Sequence, residues 1–522
     1  MTDINLADAW EAVADVVPDR DALYCEGRRL TFAELEERSN RLAHWMLAQG
    51  VQKDQHIGIY LQNCVEYVEA MIAAYKIRAV PVNVNFRYVA DELRYLFDDA
   101  DLVGVIHQPE YAARVAEVAP DTPTLQWSLE TGDAYEAALA SSSPERDFGP
   151  RSGDDHYILY TGGTTGMPKG VLWRQDDAFF ACMGGGNPAL PEVADIGELL
   201  SRINPEPSTF LALAPLMHAA GGWTVFLNLF AGNRAVLWVG SLDPAAVWRL
   251  IESERVNGTS FVGDAVMRPM LDAWDALTPK PDVSSLRTLA SGGAPLSAAL
   301  RERFLATFPT IPLNDGYGSS ETGIQASRSF LGPTGDKPEP QFNTRHTVVL
   351  DEETHQPVPA GSDRVGRVAR TGRIPLAYYG DPEKTAATFV EWEGQRWSLT
   401  GDMATVNADG SVHLLGRGSV CINTGGEKVF AEEVEAVLRQ SDDVYDVLVV
   451  GAPDERWGQR VVAVVEATPG TAPTEESLRA VARQSLAGYK VPKQVLFVDQ
   501  VVRSPSGKAD YRWAAEVAAK GG

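Results

Sequence analysis

The sequence predicts an α/β protein in which a large N-terminal unit is followed by a small α+β unit, and three observations predict it. Apolar runs of strand character alternate with amphipathic stretches between residues 30 and 84. The alternation returns at 209–240, and the pattern changes character near residue 416. Alternating strand and helix signatures favour largely parallel sheets, because a parallel crossover needs a covering element.

Each element has a local reason. LTFAELEERSNRLAHWMLAQG (30–50) reads as a helix: Thr31 caps it, Glu34 completes a capping box, and Gly50 closes it. Leu35, Leu42 and Trp45 fall at roughly helical spacing. HIGIYLQN then reads as a strand, EYVEAMIAAYKIRA as a helix and VPVNVN as a strand. FLALAPLMHAAGGWTVFLNLFAGNRAVLW breaks its apolar runs with glycine, and GPTGDKPEPQFN (332–343) is a polar, proline-rich loop. Beyond GRGSVCINTGGEK lie about 100 residues, near the lower end of independent domain size. They hold a helix at about 430–440, strands VLVVGAP and VVAVVEA, a helix from Thr474, and the closing run VLFVDQVV.

A chain of 522 residues exceeds what one core organises. The net charge of −25 argues against a nucleic-acid partner, which needs a basic footprint, but leaves room for a small nucleotide held by local cations. Cys25, Cys64, Cys182 and Cys421 are far apart and form no CxxC pair, so neither a disulfide framework nor a zinc site is expected. No leader pattern and no apolar run of membrane-spanning length is present, so a cytoplasmic protein is expected.

The chemistry concentrates in glycine-rich stretches. LYTGGTTGMPKGVLWRQ (159–175) fails the Walker A template, because Lys169 follows Pro168 and precedes Gly170. Its glycine spacing fails the dinucleotide fingerprint too. What remains is a turn offering Thr161, Thr164, Thr165 and one cation, which suits a polyphosphate gripped by O–H, N–H and ammonium donors. Taken alone, a flexible glycine loop explains it as well. At 311–323, IPLNDGYGSSETG opens an apolar run into a second such turn; Tyr317 offers a flat face for a base, and Glu321 an oxygen ligand for Mg2+. TGD (400–402) supplies Asp402, able to accept from two ribose hydroxyls. GRGSVCINTGGEK (416–428) and SPSGKADYR (504–512) complete the series.

Five motifs in this order resemble the adenylate-forming superfamily of acyl-CoA synthetases, firefly-type luciferases and peptide-synthetase adenylation domains, over essentially the whole chain. The resemblance implies a large multi-sheet adenylation domain (1–417) and a small mobile α+β domain (418–522) hinged near Ser419. It implies ATP, Mg2+ and coenzyme A as co-substrates and cofactors. The family loop YTSGTTGxPKG appears here as YTGGTTGMPKG, with Gly162 for the frequent serine; Thr161, Gly163, Thr164, Thr165 and Lys169 match the phosphate grip. SGGAP (Gly292, Gly293, Ala294) and DGYGSSET (Asp315, Gly316, Tyr317, Gly318, Ser319, Ser320) match the adenine-lining segments. Asp402 and Arg417 match the ribose pair, and Glu321 the magnesium ligand. Lys508 matches the adenylation lysine, which with Glu321 and Thr165 forms the implied catalytic group. An ammonium placed only in the reactive conformation stabilises the charge gathering around the α-phosphorus. In the second orientation of the small domain, Thr424, Gly425 and Gly426 are implied to border a pantetheine tunnel. Ser419 stands where the hinge usually carries Asp or Lys.

PLMHAAGG (215–222) matches a segment beside the acyl pocket, which makes His218, Gly222 and Trp223 pocket candidates; an ordinary hydrogen-bonded histidine on an inner turn is the lesser reading of His218. TSFVGDAVMRPML (259–271) matches a pocket-lining strand and helix with Gly263 and Asp264, where Asp264 either meets the substrate or caps the helix. GGTTGMPKGVLWRQ, GRGSVCINTGGEK and PDERWGQR together resemble actinobacterial acyl-CoA synthetases for bulky polycyclic acids, which implies a large apolar acid of steroid or terpenoid type. Medium- or long-chain fatty acids are the alternative substrates. Two further readings stay open: adenylation alone with transfer to a carrier protein, and a non-catalytic nucleotide sensor, against which Lys508, Glu321 and Lys169 stand together. A homodimer stays open as well.

Overall fold

The computed structural model describes residues 3–161, 167–294, 296–333, 346–352, 354–424, 427–454, 458–503 and 508–520, with the side chains of Arg417 and Ser419 outside the description. Gly162, Gly163, Thr164, Thr165, Gly425 and Gly426 lie outside the described residues, as does most of the loop expected at 332–343.

The fold is mixed α/β. The helix expected at 30–50 is Phe32–Ala48, with the Thr31–Glu34 capping box formed in both directions. The strand, helix and strand expected after it are His56–Tyr60, Val65–Lys76 and Val80–Asn83. The two strands pair in parallel within a four-stranded sheet that continues through Leu102–His107 and Trp127–Glu130. The stretch 209–240 becomes the strand Thr209–Ala212, the helix Ala219–Phe230 and the strand Arg234–Leu237. These strands sit at the centre of an eight-stranded sheet whose inner pairings are parallel and whose two edge pairings are antiparallel.

Two antiparallel sheets position the site and were not read from the sequence. One is a hairpin of His156–Thr161 and Lys169–Arg174, extended by Ala377–Tyr378. The other contains Ser362–Thr371, Gln395–Val406 and Val412–Arg417. A further sheet carries the C-terminal hundred residues: Cys421–Thr424, Glu427–Phe430, Val444–Asp454 and Gly458–Ala467 are antiparallel, and Gln494–Val498 joins in parallel. The helices Ala431–Leu438 and Glu475–Ser485 cover one face, the second capped by Thr474. Tyr511–Lys520 covers the other. Among the described residues no helix is long and apolar enough to cross a membrane.

Candidate active site

The loop expected to grip phosphate leaves and re-enters the hairpin at Thr161 and Lys169, which are register partners. The hairpin's third neighbour brings Tyr378, paired with Val171. The Lys169 ammonium stands 5.8 Å from the centre of the Tyr378 ring. The Tyr378 hydroxyl donates to Oε1 of Glu321 at 2.9 Å. One tyrosine thus links the loop lysine to the glutamate expected to bind Mg2+.

Glu321 sits in the turn between the strands Leu313–Ser319 and Gly323–Phe330. Three consecutive carbonyls of this turn are each taken by a distant side chain. Trp173 Nε1 donates to the Ser320 carbonyl at 3.1 Å, Ser398 Oγ to that of Glu321 at 2.8 Å, and the Arg370 guanidinium to those of Thr322 and, at 2.7 Å, Ile324. Ser319 Oγ accepts from the Glu321 amide at 3.2 Å. A Cβ at Gly318 would collide with the Gly323 carbonyl oxygen, so the hairpin closes this tightly only around glycine. Among the described residues no cluster of three His, Cys, Asp or Glu side chains is arranged to hold a metal. A single carboxylate still fits Mg2+, which keeps water and phosphate oxygens as most of its ligands.

The segments expected to line the adenine lie side by side. Gly292 pairs in parallel with Gly316, and Gly293 turns the chain at φ +80° before Ala294. Asp315 is engaged by Arg328 Nε at 2.8 Å. Tyr317 meets the ribose candidate: its hydroxyl donates to Oδ2 of Asp402 at 2.6 Å. Asp402 and Arg417 are register partners across two adjacent strands, so their backbones are neighbours.

The acyl candidates divide. His218 precedes the helix Ala219–Phe230 without capping it through its side chain. Burial, joined by positive charge from Lys508 and Arg87, lowers its imidazole to about 4. Lys508 therefore lies close enough to act on His218, although the two are nearly 300 residues apart in sequence. Gly263 donates its amide to Ser291 Oγ at 3.3 Å, which sets this turn against the adenine segment. Asp264 neither caps its helix, whose N-cap is Val262, nor stands unoccupied: its Oδ1 accepts from the Ser297 amide at 2.7 Å. Gly222 and Trp223 line a cavity with Tyr157, Met183 and Phe226 whose volume is about 10 Å³, room for about one water and far short of a polycyclic acid. Thr424 is buried at the end of its strand, paired with Glu427.

Several site-building residues escaped the sequence reading. Asn83 donates to the Tyr160 and Met217 carbonyls at 2.8 and 2.7 Å and accepts from the Tyr160 amide at 2.7 Å, tying the hairpin to the turn before His218. A lone asparagine inside the apolar strand VPVN was the available signal, since a buried amide needs partners. Tyr378 and Arg370 carried no comparable local mark.

A parallel-sheet core, a loop flanked by Thr161 and Lys169 and the Glu321 carboxylate joined to it through Tyr378 are parts that a nucleotide-phosphate enzyme needs. The chain belongs to the AMP-binding enzyme family: the AMP-binding enzyme domain matches residues 10–374 and the AMP-binding enzyme C-terminal domain residues 433–508. It is 47% identical to the 3-oxocholest-4-en-26-oate–CoA ligase of Rhodococcus rhodochrous, over 98% of this chain and 96% of that one. It is 45% identical, over the same shares, to the medium/long-chain-fatty-acid–CoA/3-oxocholest-4-en-26-oate–CoA ligase of Mycobacterium tuberculosis. ATP-bound MatB from Rhodopseudomonas palustris has the same fold, with a TM-score of 0.83 at 25% identity over 98% of this chain and 99% of that one. The resemblance drawn from the motifs therefore holds.

Proposed function

We propose that this chain is an AMP-forming acyl-CoA ligase whose substrate is a bulky hydrophobic carboxylic acid of the steroid side-chain class. The acid carboxylate attacks the α-phosphorus of ATP, giving acyl-AMP and pyrophosphate; the CoA thiol then displaces AMP to give the acyl thioester. The carrying observation is the convergence of Lys169, Tyr378 and Glu321 at the neck of the phosphate loop. The extended likeness to ligases named for a steroid acid supports the substrate class.

In this reading Lys169 and the loop residues Thr161, Gly162, Gly163, Thr164 and Thr165 grip the β- and γ-phosphates. Glu321 would hold Mg2+, which when bound neutralises phosphate charge. Asp402, oriented by Tyr317, takes the ribose hydroxyls together with Arg417. Lys508 meets the charge that develops at the α-phosphate, and the neutral His218 beside it adds no competing cation. We put the domain boundary at 417/418 and the hinge at Ser419; the passage of the chain there from one antiparallel sheet to the next supports this reading. Thr424, Gly425 and Gly426 border the thiol path. The enzyme works in the cytoplasm, where ATP and CoA are supplied.

The test is turnover of purified protein with a 3-oxo-steroid side-chain acid, a medium-chain and a long-chain fatty acid. The steroid acid should give the highest kcat/KM for AMP and acyl-CoA formation; exclusive turnover of fatty acids removes the substrate class. Fatty acids are the second reading, because the Mycobacterium tuberculosis relative carries both in its name. Leaving out CoA separates the ligase from an adenylation-only enzyme: acyl-AMP forms in both, but only the ligase turns over faster when CoA is restored.

A further inference from the structure

Arg439 is buried among carboxylates drawn from two parts of the chain. Its Nη2 donates to Oε2 of Glu435 at 3.0 Å and to the Val447 carbonyl at 2.8 Å. Its Nε has no hydrogen-bond partner among the described residues, and stands 3.9 Å from Oδ2 of Asp264 and 3.8 Å from Oδ1 of Asp446. The Arg439 and Asp264 side chains are only 8% and 9% exposed, so their attraction is little screened by water. Burial opposes the charge on Arg439, but the surrounding carboxylates outweigh it and hold its proton more tightly.

Glu435 and Asp446 belong with Arg439 to the C-terminal sheet and its helix. Asp264 does not: it lies in the first turn of Gly263–Ala276, the helix that opens beside the adenine segment. One turn further along that helix, Arg268 lies 4.5 Å over the ring of Tyr445. Asp446 also accepts from Arg503, through Nε at 2.6 Å and Nη2 at 2.7 Å. Arg503 pairs with Ala509 as an isolated antiparallel bridge, which fixes the backbone next to Lys508.

We propose that Asp264 and Arg439 form a latch that holds Lys508 in its acyl-AMP-forming position, through the relay Asp264, Arg439, Asp446 and Arg503. Both are positioning residues, and the inference rests on the ligase reading above, with its two half-reactions. Glu435 and Asp446 compensate Arg439 whatever the arrangement of the two parts, whereas Asp264 contributes only when the faces meet. Its charge therefore favours one arrangement over the other, which is what a population-shifting contact must do. Acyl-AMP formation needs this arrangement; thioester formation from acyl-AMP does not.

The experiment compares the half-reactions in Asp264→Asn, Arg439→Met and the double variant. Asp264→Asn keeps an acceptor for the Ser297 amide and removes only the charge facing Arg439. Pyrophosphate release without CoA should fall about tenfold in kcat in each single variant, with KM for acid and ATP within about twofold. Thioester formation from supplied acyl-AMP and CoA should stay within about twofold of the unmodified enzyme, and the double variant should lose no more than either single one. Equal loss in both half-reactions for a normally melting Asp264→Asn, additive losses in the double variant, or unimpaired pyrophosphate release each overturn the latch. An unmodified enzyme that makes no acyl-AMP overturns the ligase reading itself, and the latch with it.

Discussion

The hydroxyl of Tyr317 donates a 2.6 Å hydrogen bond to Oδ2 of Asp402, joining the strand Leu313–Ser319 to the strand Gln395–Val406. The sequence assigned these residues to different parts of the nucleotide, a base and a ribose. Their bond makes them one device, because a hydrogen bond to an ionised carboxylate fixes where its remaining lone pairs point. Tyr317→Phe keeps the ring and removes the bond, so KM for ATP should rise about tenfold while kcat changes by less than about threefold. Tyr317→Ala loses the ring as well and should raise KM further. ATP titrations of the pyrophosphate-release rate decide it; an unchanged KM in the phenylalanine variant would detach Asp402 from nucleotide binding.

Lys508 immediately precedes Ala509, the bridge partner of Arg503, and its positive charge acts on the buried His218 imidazole. Lys508→Ala should slow acyl-AMP formation about a hundredfold or more, the usual cost of removing a donor aimed at transition-state charge. Thioester formation from supplied acyl-AMP should change far less. Parallel loss in both steps contradicts a role confined to adenylation.

His218 gives a pH prediction with a definite sign. Its imidazole titrates at about 4 in the folded protein, lowered from 6.5 by burial and then by Lys508 and Arg87. Well above pH 6.5 it is neutral folded or unfolded, and its contribution to stability is constant. As pH falls from 6.5 towards 4 the unfolded chain takes up a proton that the folded one refuses, so stability drops through that window. His218→Gln should flatten this part of the stability profile. The NMR titration of the His218 ring checks it directly: a midpoint near 6.5 contradicts the burial, and Lys508→Ala should move the midpoint upward.

The legible parts of this protein were the local ones. The Thr31–Glu34 capping box needs only residues three apart, and the strand, helix and strand at 56–83 follow from runs long enough to show their periods. In the C-terminal part the helices Ala431–Leu438 and Glu475–Ser485 and the strands Val444–Asp454, Gly458–Ala467 and Gln494–Val498 were legible for the same reason. The short strands Cys421–Thr424 and Glu427–Phe430 and the last helix, Tyr511–Lys520, were not read. Pairings between distant segments were not. The hairpin around the phosphate loop read only as an apolar run before glycines, and Tyr378 reaches Glu321 from a two-residue strand with no pattern of its own. Asp264 shows the limit most clearly: substrate contact and helix capping both suited the sequence, and its carboxylate does not cap the helix but binds the Ser297 amide and faces Arg439. That outcome depends on where two segments about 175 residues apart come to lie.

Arg370 makes the last prediction, through the turn that presents Glu321. Its guanidinium donates to the Thr322 and Ile324 carbonyls from a buried position, and burial lowers its affinity for its own proton. One planar fork spans two carbonyls; a lysine ammonium has no such fixed geometry. Arg370→Lys should loosen the turn while keeping the charge, so the Mg2+ concentration for half-maximal pyrophosphate release should rise several-fold, with the rate at saturating Mg2+ within about threefold. Arg370→Met leaves both carbonyls short of a donor and should cost about 1–3 kcal/mol of stability, visible as a lower Tm. A separation of the two effects is what the geometry demands: the lysine variant shifts the Mg2+ dependence with little change in Tm, because its ammonium still donates to one carbonyl. If both variants melt early with an unchanged Mg2+ dependence, Arg370 supports the fold and the Glu321 turn is positioned by Trp173 and Ser398 without it.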